Sequence, residues 1–221
     1  MERMGRVSAM LGFSFLLIMA SAPFVFADSV PLQDFCVADL NNTVRVNGYV
    51  CKDPAEVTAE DFFFSGLHNP QVPTTPIGSV ATHVNVKQVG GLNTQGLAMV
   101  RIDYGPYGQN APHYHPRGSE IIVVLEGTLL VGFITSNPEN RLLSKVLNKG
   151  DAFVFPQGLI HFQFNMGNTP AAAMASLNSQ SPGTVTVGNA VFASNPAIPV
   201  TVLDRAFHVD KKTVELIQSK F

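Results

Sequence analysis

Three side chains able to bind a metal stand close together in "APHYHPRGSEIIVVLEG", residues 111–127: His113, His115 and, five positions on, Glu120. Successive side chains on an extended strand point to opposite faces, so His113 and His115 project together while Tyr114 points away. Pro112 and Pro116 bracket the pair and stiffen it by fixing φ. A "PRGS" turn can then bring the Glu120 carboxylate back towards the imidazoles. Glu120 opens an apolar run, Ile121 to Leu125, and an unpaired carboxylate buried there carries a heavy desolvation penalty or stays protonated. A divalent cation removes that penalty. The fourth candidate is His161 in "FPQGLIHFQFN". Pro156 and Gly158 make a turn there that launches a strand, with His161, Gln163 and Asn165 on one face and Phe162 and Phe164 on the other. Three imidazoles and one carboxylate suit a first-row transition metal rather than Ca²⁺ or Mg²⁺. In an octahedral shell, four protein ligands leave two positions for water or substrate, which is the open site a catalytic metal requires. His68, His83 and His208 stand alone and read as hydrogen-bonded core or surface residues.

The elements that must position these residues are strands. From Ser79 to about Phe192, short β-branched or aromatic runs alternate with Gly, Pro, Asn and Asp, the last of them "VTVGNAVF" at 185–192. Eight or more short strands at near-regular spacing predict an antiparallel barrel or jelly roll. "EG" at 126–127 carries a tight-hairpin signal between two apolar strands. Upstream, "TAED" at 58–61 reads as a capping box with Asp in place of Glu, opening about two turns of helix through "DFFFSGL". Residues 69–79, rich in Pro, Thr and Gly, read as a surface loop. At the C-terminus the period changes. Val202, Leu203, Ala206 and Phe207 share a helical face, and Asp210 can cap a second helix that presents Val214, Ile217 and Phe221. Those stripes predict a neighbouring subunit.

The N-terminus bears on the compartment. Arg3 and Arg6 precede an apolar run from about Met10 to Ala20, and Val25 and Ala27 fit the small-residue rule for cleavage after Ala27. Residues 1–27 therefore read as a signal peptide, the apolar core being shorter than the ~20 residues a membrane span needs. Removing them leaves 194 residues and moves the net charge from −2 to −3. That length suits one domain, and no basic run supports nucleic-acid or acidic-membrane binding. Cys36 and Cys51 are the only cysteines, and in an oxidising compartment they most simply make one disulfide. "NNT" at 41–43 makes Asn41 an N-glycosylation acceptor within the loop so closed. The divisions are then a signal peptide (1–27), a disulfide-pinned extension (28–78), a β-barrel (79–198) and C-terminal helices (199–221).

At the metal-ligating residues the chain resembles the germin-like proteins, plant extracellular members of the cupin superfamily. The first cupin pattern, G-x4-H-x-H-x4-E-x6-G, is met by Gly108, His113, His115, Glu120 and Gly127. The second, G-x5-P-x-G-x2-H-x3-N, is met by Gly150, Pro156, Gly158, His161 and Asn165. "QDFCVADL" at 33–40, Cys51 and the closing "VELIQSKF" extend the resemblance over nearly the whole mature chain. It implies a mainly β, single cupin (jelly-roll) barrel with a C-terminal helical extension. It further implies manganese held by His113, His115, Glu120 and His161, and a trimer-of-dimers homohexamer in the extracellular space, apoplast or cell wall. The residue types alone leave Fe, Ni or Zn open.

What the resemblance implies for activity divides. Germins proper are oxalate oxidases, while many germin-like relatives are superoxide dismutases. The oxidases carry two asparagines near the metal. Asn110 matches one and is a candidate residue beside the metal, but Val100 stands at the other. Oxalate needs donors for its oxygens and valine offers none, which counts against oxalate oxidase. The expectation is a dismutase-type activity in defence or wall remodelling. The alternative is a non-catalytic extracellular binding or structural module, with a small-molecule ligand in the barrel.

Overall fold

The computed structural model describes residues 33–221, so the expected signal peptide lies outside the described residues. Phe35–Phe221 make up one structural unit, which carries every strand and helix named below. Ten strands form two five-stranded antiparallel sheets. One has the order β1-β2-β9-β4-β7: β1 Ser79–Val84, β2 Ala98–Tyr104, β9 Ala171–Leu177, β4 Glu120–Glu126 and β7 Ala152–Phe155. The other has the order β10-β3-β8-β5-β6: β10 Val185–Thr186, β3 Gln109–Tyr114, β8 His161–Asn165, β5 Thr128–Ile134 and β6 Leu142–Asn148. The two sheets make an open jelly roll rather than a closed barrel.

Alternation decides which side chains enter the space between the sheets. In β4, Glu120, Ile122 and Val124 are buried; in β8, His161, Gln163 and Asn165 are buried. These meet Ile102, Tyr104, Leu129, Val131 and Phe155, while β9 contributes the small residues Ala171, Ala173 and Ala175 at the centre of its sheet. The core is thus apolar at most positions and polar at one end.

Three local expectations need correction. "EG" at 126–127 is not a hairpin, because β4 pairs with β7 and β9 whereas β5 pairs with β6 and β8. Gly127, at φ +81°, is instead the corner where the chain crosses between sheets, and a Cβ there would lie 2.5 Å from that of Ala171. The segment 185–192 is not a strand throughout. Only Val185 and Thr186 pair with β3, and the chain then turns into helix α1, Val187–Phe192. This turn sets Phe192 against Phe207 and Phe221, with ring centroids 5.4 and 6.0 Å apart. The helix after Thr58 is a single 3-10 turn, Ala59–Phe62, with extended backbone at Phe63. The Asp61 carboxylate does accept from the Thr58 N–H at 2.8 Å, as a capping box should. However, Phe62 packs edge-on to Phe35 and lies where a Cβ on Gly91 would be, and these tertiary contacts override continuation of the helix.

The remaining elements follow expectation. The 69–79 loop runs over the outer face of β2, where the buried Arg101–Asp103 pair (2.7 Å) also takes up Leu67 O and the Gln71 N–H. Cys36 and Cys51 are disulfide-bonded beside the Ala38–Cys51 bridge. Closing a loop of this size contributes ~3 kcal/mol in the chain-entropy model. Asn41 is exposed within that loop. Helices α2, Val200–Phe207, and α3, Lys211–Gln218, close the chain, and Asp210 caps α3 by accepting from the Thr213 N–H at 2.9 Å. Among the described residues no helix is long and apolar enough to cross a membrane.

Candidate metal centre

His113 and His161 face one another in register between β3 and β8. The β3–β8 ladder slips by one residue between Asn110 and His113. A bulge of this kind re-aims side chains, and here it delivers His113 inward just before the strand ends. His115 follows one residue beyond β3. Glu120 comes from the opposite sheet as the first residue of β4, between Phe155 and Leu177. The centre is therefore clamped between the two sheets.

All four residues are buried, and one potential ligand atom from each lies within 4.8 Å of the others. Glu120 Oε2 is 2.8 Å from His115 Nε2 and 3.5 Å from His161 Nε2. The other ring nitrogens are already engaged. His113 Nδ1 lies 2.8 Å from Ala111 O, His161 Nδ1 2.9 Å from Leu159 O and His115 Nδ1 2.6 Å from Gly183 O. A carbonyl oxygen can only accept, so each Nδ1 carries a hydrogen and each neutral imidazole turns a bare Nε2 towards the centre. Phe155 stacks on His161 at 4.4 Å and fixes its ring plane. Glu120 Oε1 and His161 Nε2 are buried without a hydrogen-bond partner among the described residues. These are the atoms a metal would satisfy, so the donor set fits a divalent ion.

The electrostatics prepare the same outcome. Burial alone would raise the Glu120 pKa, but the His115 and His161 imidazoles beside the carboxylate outweigh it and bring the value from 4.5 to about 2. Burial, reinforced by the neighbouring His161, lowers His113 from 6.5 to about 4. At His115 burial works downwards, yet the hydrogen bonds to Glu120 and the Gly183 carbonyl prevail and raise the pKa. Near neutrality the carboxylate is charged and His113 is bare, which is the state a cation needs.

Acid should therefore release the metal. His115 takes up a proton first as the pH falls, because its pKa is raised while that of His113 is lowered. Metal retained after gel filtration should decline as the pH falls through the mildly acidic range towards 4, because protons compete with the ion first at His115 and then at His113. Metal retained in full at that pH would contradict the ligand assignment. In the metal-free protein, the unfolded chain binds more protons than the folded one at His113 between pH 6.5 and about 4, so this residue makes stability fall on acidification. Glu120 extends the loss from 4.5 down to about 2. His115 acts in the opposite sense, its contribution being present below 6.5 and lost as the pH rises through its raised value.

The other motif residues are structural. A Cβ on Gly108 would meet Gly78 O at 2.0 Å, so this position admits only glycine. Asn165 donates to Gly105 O at 2.8 Å and Thr169 O at 2.7 Å, and accepts from the Gly167 N–H at 3.0 Å, tying two loops to the end of β8. Asn110, half-buried, stands in register with Gln163 one step inward from the histidines. Val100 is buried on the facing sheet, paired with Ala175 and with His83 of the edge strand. His83 is thus in register with the inner-facing row but exposed at the edge of the sheet, within the expectation of a core or surface residue. Tyr104 and Gln163 also reach the interior as buried polar groups. The alternation of β8 places Gln163, but no motif points to Tyr104.

Residues 65–215 match the Cupin family model. Germin-like protein 8-2 of Oryza sativa subsp. japonica is 57% identical over 216 residues, covering 95% of this chain and 98% of its own. The chain is a germin-like member of the cupin family. Germin-like protein 8-5 of the same plant is 55% identical over 206 residues, covering 93% of this chain and 92% of that protein. Among solved structures, an oxalate oxidase in complex with the substrate analogue glycolate superposes with a TM-score of 0.84 at 47% identity, covering 86% of this chain and 96% of that one.

Proposed function

We propose that this germin-like chain is a secreted manganese protein with superoxide dismutase activity, acting in the plant extracellular space in defence or wall remodelling. His113, His115, Glu120 and His161 would hold the ion. Manganese bound there would supply a one-electron donor and acceptor. Three neutral imidazoles and one carboxylate leave a bound divalent ion with a net charge of +1, which attracts a small anion into the space between the sheets.

Val100 is the observation that carries the reading. The polar wall beside the histidines includes Asn110, but the facing wall is Val100, Ala175 and Ile122, all buried and apolar. A planar dianion needs donors on both sides, whereas superoxide needs only the metal and a proton source. The oxalate oxidase neighbour makes the contrast testable. Purified protein should remove superoxide in a chelator-sensitive manner and release little hydrogen peroxide from oxalate. Val100→Asn restores an amide without touching a ligand and should raise peroxide release from oxalate by about 10-fold or more, the scale of one good polar contact. Oxalate turnover by the unaltered chain at the rate of a true oxalate oxidase would sink this reading.

Secretion also fits the Cys36–Cys51 bond and the exposed sequon at Asn41, which we propose carries a glycan. We further propose that the chain assembles as a homohexamer through its C-terminal helices.

A further inference from the structure

We infer that Gln163 and Tyr104 form an inner proton-delivery arm of the metal pocket, holding ordered water between the Tyr104 hydroxyl and the metal-facing atoms of Glu120 and His161. The inference rests on the dismutase reading above. Gln163 is fully buried, and neither its Oε1 nor its Nε2 has a hydrogen-bond partner among the described residues. The Tyr104 hydroxyl, on a side chain 1% exposed, is in the same condition. Glu120 Oε1 and His161 Nε2 complete a set of buried, unpartnered polar atoms. A cation satisfies the last two. It cannot take up the N–H donors of an amide or the O–H of a phenol.

The placement of these groups is coherent. Gln163 lies two residues from His161 on the same inward face of β8. Tyr104 enters from the facing sheet into the apolar cluster of Ile122, Leu129 and Phe155. The Glu120 charge acts on the Tyr104 phenol. Leucine and phenylalanine would fill much the same volumes without stranding a polar group. A buried water needs two to four polar partners, and the Gln163 amide, the Tyr104 hydroxyl and Glu120 Oε1 can offer them in an interior that is otherwise largely hydrocarbon.

Dismutation gives the arm a use. Two superoxide ions and two protons yield one dioxygen and one hydrogen peroxide; one superoxide is oxidised and the other reduced, so no further reagent is required. The protons must reach a buried site. Burial, then the charges of Glu120 and Asp103, hold the Tyr104 pKa well above 10, so the phenol keeps its proton until a stronger base forms beside it. The nascent peroxide is such a base. Tyr104 gives up one of the two protons along the water, Gln163 orients that water by donating and accepting, and entering water supplies the second proton and later reprotonates the phenolate, the hydroxide so formed leaving to solvent.

The test uses the manganese-loaded full chain as wild type, Tyr104→Phe, Gln163→Leu and the double variant, with metal content checked first. Pulsed electron paramagnetic resonance of Mn(II) in D2O should show, beyond the strongly coupled deuterons of metal-bound water, a set of more weakly coupled exchangeable deuterons in the wild type that is lost in Gln163→Leu. Superoxide turnover at saturation should fall about 10-fold or more in each single variant. The double variant should be no worse than the weaker single, because the two residues act on one path. If the groups are merely stranded in the core, both substitutions should instead raise the Tm of the loaded protein and leave the deuteron signal and turnover unchanged, which would overturn the inference. A wild-type protein without dismutase activity would remove the proton-delivery role along with the functional reading, while loss of deuterons in the variants would still establish the held water.

Discussion

Replacing His113 and His115 by alanine together should reduce bound metal from one ion per chain to less than about a tenth, because half of the donor set is lost. The two residues also carry the stiffness of the site, since Pro112 and Pro116 fix the backbone between which they sit. His161 and Glu120 would remain 3.5 Å apart with no imidazole from β3 to close the shell. The fold should survive, because its apolar cluster, from Ala98 to Leu177, does not depend on either histidine. Elemental analysis of the folded double variant measures the effect. Stoichiometric metal in it would place the ion elsewhere.

Deleting residues 200–221 should have the largest effect on stability. Leu203 and Val214 are 3% and 0% exposed, so the deletion removes two fully buried aliphatic anchors and uncovers their partners. At about 1.5–3 kcal/mol for each side chain, the loss is about 3–6 kcal/mol. In a chain of this size that corresponds to a Tm lower by about 10–20 °C. The rings of Phe207 and Phe221 also leave Phe192 and Gly188, against which they pack. The same segment exposes Val202, Leu216 and the outer parts of Phe207 and Phe221, an apolar surface of the kind that interfaces cover. We therefore expect light scattering to find dimers or monomers of the truncated protein. A stable hexamer without these helices would mean that the sheets alone hold the subunits together.

The candidate ligands were legible because their spacing is local. A two-residue period puts His113 and His115 on one face, and the same period sets His161 beside Gln163 and Asn165. The cap at Asp210 and the stripes of α2 and α3 were legible for the same reason. What escaped depends on distant partners. "EG" at 126–127 has the composition of a hairpin turn, and only the pairing of β4 with β9 and of β5 with β8 makes it a corner. The strand-like residues 187–192 become helix because Phe192 gains two aromatic neighbours by turning. Tyr104 carries no local signal at all. Its importance lies in a hydroxyl stranded among apolar side chains, which only the packed sheets create.

We propose that manganese in this pocket turns over superoxide, and the metal dependence of the rate tests this directly. Preparations of the protein with graded manganese content, obtained by partial stripping and reloading, allow superoxide decay to be followed by stopped flow against manganese per chain. After subtraction of the spontaneous decay of superoxide, the rate should follow a straight line through the origin and reach its maximum at one manganese per chain. A rate that does not depend on bound manganese, or that is absent at full loading, would contradict it.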